Sequence, residues 1–140
     1  MSRVIIDTGP IVALFDRRDT HHQWANGLCG QFPAPLFTCE SVIAEAVFIM
    51  RRSGLDPRWL METLDRGVFQ CDFDFAAEFQ AIRALFRRYE DRAISIADAA
   101  LVRMSELTKD SVIFTLDRDF LIYRRNGRQK IPLLAPFSSE

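Results

Sequence analysis

Val4, Ile5 and Ile6 form an unbroken aliphatic run that stops abruptly at Asp7-Thr8-Gly9-Pro10. Such a run fits a strand buried on both faces, the environment of a central parallel strand. The acid, hydroxyl, glycine and proline that follow sit where that strand hands over to a helix. The next stretch, Ile11-Val12-Ala13-Leu14-Phe15, is apolar enough for that helix to lie against a sheet. In open α/β sheets, ligands bind outside the carboxyl ends of the strands, so Asp7 stands where chemistry is usually found.

The remaining chain repeats this alternation. Leu36-Phe37-Thr38 predicts a short strand, and a helix is expected from about Ser41 to Arg52, stopped by Gly54. Asp56-Pro57 predicts a helix start, and Gly67 its end. Val68 to Phe73 is expected as a strand. Asp74 is expected to cap an amphipathic helix with Phe75, Phe79, Ile82, Leu85, Phe86 and Tyr89 inside. Glu90-Asp91-Arg92 is read as a polar loop, and Ser95 opens another helix. Val112 to Leu116 is the clearest second buried strand. Asp119 to Tyr123 predicts a short helix and Asn126-Gly127 a turn. Ile131 to Leu134 predicts a final strand, placed at an edge by Pro132. The expected class is α/β, with a mainly parallel central sheet flanked by helices, in one domain over residues 1–140. A chain of 140 residues suffices for one real core.

Two apolar strands therefore deliver Asp7 and Asp117 to their carboxyl ends. Asp98 falls in the first turn of a helix. Glu45 lies three residues after Val42 and four before Ile49, which predicts a place on the buried face of its helix. Each acid has a plain structural alternative. Asp7 fits a helix cap, Asp117 an ordinary turn, and Glu45 an ion pair with another element. Asp98 follows Ser95 by three residues, the spacing of a capping box. Taken together, four converging carboxylates would repel. Each close pair costs on the order of 1–3 kcal/mol at an effective dielectric of ~20. A divalent cation resolves that conflict, and an all-oxygen donor set selects a hard ion such as Mg²⁺ or Mn²⁺.

The other features bound the function. Net charge is −1, which excludes bulk polyelectrolyte binding, yet all but two of the 18 basic residues are arginine, the exceptions being Lys109 and Lys130. Arginine's planar fork suits phosphate and carboxylate recognition. Cys29, Cys39 and Cys71 are scattered and read as reduced thiols. His21 and His22 are adjacent, point to different sides of a helix that Thr20 is expected to cap, and are read as surface residues. No apolar run approaches the ~20 residues of a membrane span, and the N-terminus lacks a signal-peptide pattern, so a cytoplasmic location is expected.

Four segments resemble the PIN-domain family, most closely the VapC-type toxins of type II toxin–antitoxin systems. They are V-I-I-D-T-G-P-I-V-A-L-F-D at 4–16 with D-T-H-H at 19–22, E-S-V-I-A-E-A-V-F at 40–48, Y-E-D-R-A-I-S-I-A-D-A-A-L-V at 89–102, and V-I-F-T-L-D-R-D-F at 112–120. The resemblance implies that Asp7, Glu45, Asp98 and Asp117 are the catalytic, metal-binding acids. It implies hydroxyl positions at Thr8 and Thr115 and accessory acids at Asp91 and Asp119. The implied activity is that of an Mg²⁺-dependent endoribonuclease, with Mn²⁺ as a substitute, usually dimeric and neutralised by a cognate antitoxin protein. Arg17, Arg118 and Arg124, with Arg18, Arg125 and Arg128, lie near the expected active edge and are candidates for holding RNA.

Other classes fit less well. A phosphatase of the haloacid dehalogenase type resembles D-x-D after strand one, and position 9 is Gly. A phospho-receiver needs a lysine at a late strand end, and neither Lys109 nor Lys130 falls there. A PIN-type RNA-processing nuclease, or a PIN domain that only binds RNA, outside a toxin–antitoxin system, is the remaining alternative. Intact acids weigh against the binding-only form.

Overall fold

The computed structural model describes residues 2–137. Its elements run β1 (Arg3–Ile6), α1 (Thr8–Phe15), α2 (His22–Cys29), β2 (Leu36–Thr38), α3 (Glu40–Arg52), α4 (Arg58–Asp65), β3 (Phe69–Cys71), α5 (Phe79–Arg88), α6 (Ile96–Leu107), β4 (Ser111–Phe114), β5 (Arg124–Arg125), β6 (Gln129–Lys130) and β7 (Leu133–Leu134). Two 3-10 turns lie at Glu90–Arg92 and Arg118–Leu121. Five strands form a parallel sheet in the order β3-β2-β1-β4-β7, so the architecture is α/β.

β1 sits at the centre of the sheet because both of its faces are apolar. Ile5 and Ile6 are fully buried, as are Ile113 and Phe114 of the neighbouring β4. Ile6 pairs with Phe114, so the two strands end at the same level. That register sets Asp7 beside Thr115. The short β7 is an edge strand beyond Pro132, as expected.

Several expectations are corrected. The α5 helix begins at Phe79, after a turn in which Asp74 Oδ1 accepts from the Ala77 amide at 3.1 Å. Ile82, Leu85 and Tyr89 are buried, but Phe75, Phe79 and Phe86 are 41, 45 and 37% exposed. Phe75 lies ahead of the helix, and α5 packs chiefly against α6, which leaves Phe79 and Phe86 partly exposed. Asp19, not Thr20, accepts from the His21 amide ahead of α2, at 2.8 Å. The histidines are half-buried: His22 Nδ1 lies 2.7 Å from the Ala13 carbonyl, and His21 meets the Trp24 ring edge-on. Residues 124–130, expected only as a turn, form an antiparallel hairpin. Asn126 and Gly127 take φ of 53° and 75° at its tip, a region that favours these residue types. The buried Arg125 anchors the hairpin by donating to the carbonyls of Lys109 and Ser111. Cys29, Cys39 and Cys71 are free thiols, and among the described residues no helix is long and apolar enough to cross a membrane.

Candidate active site

Asp7 is the N-cap of α1 and only 6% exposed. Its Oδ1 accepts from the Thr8 amide at 2.7 Å, and its Oδ2 accepts from Thr115 Oγ1 at 2.7 Å. The cap reading and the site reading of Asp7 thus describe one carboxylate held from two sides. Thr115 Oγ1 in turn accepts from the Asp117 amide at 3.0 Å, and Asp117 Oδ1 accepts from the Asp119 amide at 2.9 Å. One buried threonine therefore joins the ends of β1 and β4. Gly9 allows the close approach: a Cβ there would lie 3.1 Å from Leu116 Cδ1, next to Asp117.

Ser95 caps α6 by accepting from the Asp98 amide at 3.0 Å. The Asp98 carboxylate does not complete a capping box. Its Oδ2 accepts instead from the Tyr123 hydroxyl at 3.1 Å. Tyr123 is fully buried and packs edge-on against Tyr89 and Phe120. Tyr123 was not singled out from the sequence, where nothing marks it beyond a phenol in an apolar segment.

Asp7, Glu45, Asp98 and Asp117 all line one cavity of about 250 Å³, together with Thr8, Gly9, Ile49 and Leu116. None of these lining residues is basic. The expectation that Glu45 lies on the buried face of its helix is corrected: it is exposed and forms the rim. The buried stripe of α3 is Val42, Ala46 and Met50, and Glu45 falls to one side of it. One carboxylate oxygen each from Asp98, Asp117 and Asp119 lies within 4.8 Å of the others, so Asp119 joins the tightest cluster while Asp7 backs it. Asp91 is exposed in the 3-10 turn at 90–92 and does not line the cavity.

The candidate arginines lie in different settings. Arg17 is exposed and lines a separate cavity. Arg118 is exposed, with its guanidinium 4.7 Å from the Phe137 ring. Arg124 Nη1 donates to the carbonyls of Leu121, Ile122 and Tyr123, closing the turn that carries Asp119.

The acids perturb one another. Burial, opposed by the Thr115 and Thr8 hydrogen bonds, pushes the Asp7 carboxyl up to about 6. Burial and then the charges of Asp7 and Asp117 push Asp98 up to about 7, although the Tyr123 hydrogen bond opposes the rise. Burial also raises the Tyr123 phenol, which stays protonated as a donor. Both carboxyls thus bind protons more tightly in the folded chain than in the unfolded one. Between about pH 4 and pH 7 the folded state holds the extra protons, so metal-free stability from these groups is present at low pH and is lost as pH rises through about 6 to 7. Thermal melts in EDTA are expected to fall between about pH 5 and pH 7 and to level off by about pH 8, with a shallower fall in Asp98→Asn. Melting temperatures that rise over this range would refute the assignment.

The residues fit a cation. The donor set is all oxygen, and among the described residues the cavity is lined by no basic side chain and the buried Thr8 Oγ1 has no hydrogen-bond partner. Oxygen donors in a carboxylate cluster select a hard divalent ion.

The parallel sheet, the acids at its carboxyl edge and the matching sequence place the chain in a known class: residues 4–126 match the PIN domain, and the chain belongs to the PIN-domain family. It is similar to ribonuclease VapC26 of Mycobacterium tuberculosis (strain ATCC 25618 / H37Rv), at 29% identity over 117 residues, covering 82% of this chain and 87% of that protein. Its fold is similar to the crystal structure of Mycobacterium tuberculosis VapC20, a sarcin–ricin loop cleaving toxin, with a TM-score of 0.69 and 22% identity over 83% of this chain and 91% of that one.

Proposed function

We propose that this chain, acting as one PIN-type unit, is a metal-dependent endoribonuclease and the toxin component of a type II toxin–antitoxin system in the cytoplasm. The observation that carries the reading is the cluster of Asp98, Asp117 and Asp119 oxygens within 4.8 Å of one another, backed by the buried Asp7. Asp98, Asp117 and Asp119 would hold Mg²⁺ or Mn²⁺, with Asp7 and Glu45 around them. A divalent cation there supplies Lewis-acid activation of water and neutralises charge at a scissile phosphate.

The chain's own residues do the rest. Thr115 orients Asp7 through its hydroxyl, and Tyr123 orients Asp98, so both carboxylates present fixed oxygens to the cavity. In the metal-free site Asp7 and Asp98, at about 6 and 7, lose their protons near neutral pH, which favours cation capture there. Glu45 stands at the open rim, where an RNA strand arrives. Arg17 and Arg118, both exposed, would contact the RNA backbone, while Arg124 holds the Asp119 turn. Exposed Phe48 on α3 and Phe79 and Phe86 on α5 supply apolar surface for a homodimer and for the antitoxin.

Purified, antitoxin-free protein is expected to cleave RNA with Mg²⁺ or Mn²⁺ and to stop in EDTA. Its cognate antitoxin should suppress that cleavage, and light scattering on the same preparation should report a dimer. Equal cleavage in EDTA would overturn the metal-dependent reading. Mapping new RNA 5′ ends after induction in cells would identify the target.

A further inference from the structure

A second cavity, of about 600 Å³, opens where α1 and α3 end, lined among others by Phe15, Arg17, Arg18, Ser53, Leu55 and Trp59. Trp59 is 54% exposed at the start of α4, an unusual position for the largest side chain in a soluble protein. Arginine dominates its surroundings. Arg17, Arg18, Arg51, Arg52 and Arg58 all come from segments meeting here and all are exposed. Asp16 pairs with Arg18, and Asp56 pairs with Arg58. Among the described residues, Arg17, Arg51 and Arg52 have no ion-pair partner, so the patch is net positive in a chain whose overall charge is −1. Arg51 and Arg52 offset the dipole in the last turn of α3. Arg18 also serves this end, donating from Nη2 to the Ser53 carbonyl at 2.8 Å, which leaves Arg17, beyond the end of α1, outside that role.

The cavity and the acid site lie along the same two helices. On α3, Ile49 lines the acid cavity and Ser53, one turn later, lines this one. On α1, Thr8 and Gly9 line the acid cavity, and Phe15 at the other end lines this one. Glu45 and Ser53 are eight residues apart, or ~12 Å of helix at ~1.5 Å per residue. At ~3.4 Å per nucleotide along a stacked strand, that is roughly three to four nucleotides.

Resting on the ribonuclease reading above, we propose that this cavity is a second RNA subsite, where Trp59 stacks an unpaired base and Arg17 holds a flanking phosphate. It accepts single-stranded RNA about three to four nucleotides from the Glu45 rim of the acid site. Positive charge interleaved with an exposed aromatic ring is the combination that binds single strands. Because every base has a stacking face, the subsite favours unpaired over duplex RNA and sets substrate length before it sets sequence.

The test is binding without cleavage. A 5′-labelled single-stranded RNA of about twelve nucleotides is titrated by fluorescence anisotropy in EDTA at low salt. Trp59→Ala is expected to weaken binding roughly 5- to 100-fold, and Trp59→Phe to recover part of the loss. Arg17→Gln should lower the slope of log affinity against log salt by about 0.7. Both side chains are exposed, and unchanged thermal melts will show that the variants fold. Wild-type protein that does not bind this RNA, or affinity unchanged in Trp59→Ala and Arg17→Gln, would overturn the subsite. So would a Trp59→Ala variant that keeps RNA affinity while losing affinity for the antitoxin, which would make the cavity a protein contact. Metal-dependent cleavage by the same preparation reports separately on the ribonuclease reading, so the two can fail independently.

Discussion

Asp98→Asn is expected to lower kcat/KM for RNA by about 10³-fold or more and to abolish the rise in melting temperature produced by Mg²⁺ or Mn²⁺. The rate estimate follows from losing several kcal/mol of charge stabilisation at the reacting phosphate. The melting result is the sharper one. Burial and then the charges of Asp7 and Asp117 raise the Asp98 pKa, so neutralising it relieves both desolvation and repulsion in the metal-free protein. The metal-free variant should therefore melt at or above wild type near pH 8. A capping role makes the opposite prediction, a loss of ~0.5–1 kcal/mol. The structure already weighs against that role, because Ser95 Oγ caps the helix through the Asp98 amide, which the substitution retains. Wild type should gain stability from the ion, because it binds only the folded chain. A variant that melts lower without metal yet keeps the full metal-induced rise would remove Asp98 from the ligand set.

The second large effect is expected at Thr115, which is fully buried and touches both strand ends. Thr115→Val keeps the volume and deletes a hydroxyl that donates to Asp7 and accepts from the Asp117 amide. Leaving a buried carboxylate and an amide short of a partner costs ~1–3 kcal/mol. The Asp7 pKa, already about 6, should rise further, so the destabilisation should be larger near pH 8, where the carboxylate is charged, than near pH 5. Metal affinity should fall ~10- to 100-fold, the usual consequence of removing a group that orients a ligand. Thr115→Ser restores the hydroxyl and should recover most of the affinity. Denaturant melts at the two pH values with Mn²⁺ titration provide the measurement. Equal metal affinity in Thr115→Val and wild type would show that Asp7 needs no such support.

The strand-to-helix junctions were legible in the sequence because their signals are local. Val4-Ile5-Ile6 and Val112-Ile113-Phe114 are apolar without interruption, which only a strand buried on both faces requires. Each run ends within a few residues of an acid, so local sequence alone assigns Asp7 and Asp117 to the carboxyl edge. The order of the sheet, with β1 between β2 and β4, follows from no local pattern, and it alone sets Asp7 beside Thr115.

The same division holds within the site. Ser95 is recognisable as a cap from spacing alone, since the capping amide lies three residues away. The partner of the Asp98 carboxylate lies 25 residues away, on Tyr123, and packing against Tyr89 and Phe120 brings it there. Glu45 was misjudged because helical spacing gives an angle around the axis, not the width of the surface that covers it. The same holds for Phe79 and Phe86, whereas Phe75 lies ahead of the helix. Asp119 is only an accessory acid by resemblance, and it is the 3-10 turn at 118–121, closed by Arg124, that brings it toward Asp98. The sequence by itself thus determined which elements form and which acids stand at their ends, because backbone propensity and hydrophobic period act over a few residues. Which carboxylates share a cavity, and which hydroxyls hold them, was decided only when strands distant in the chain were brought into register.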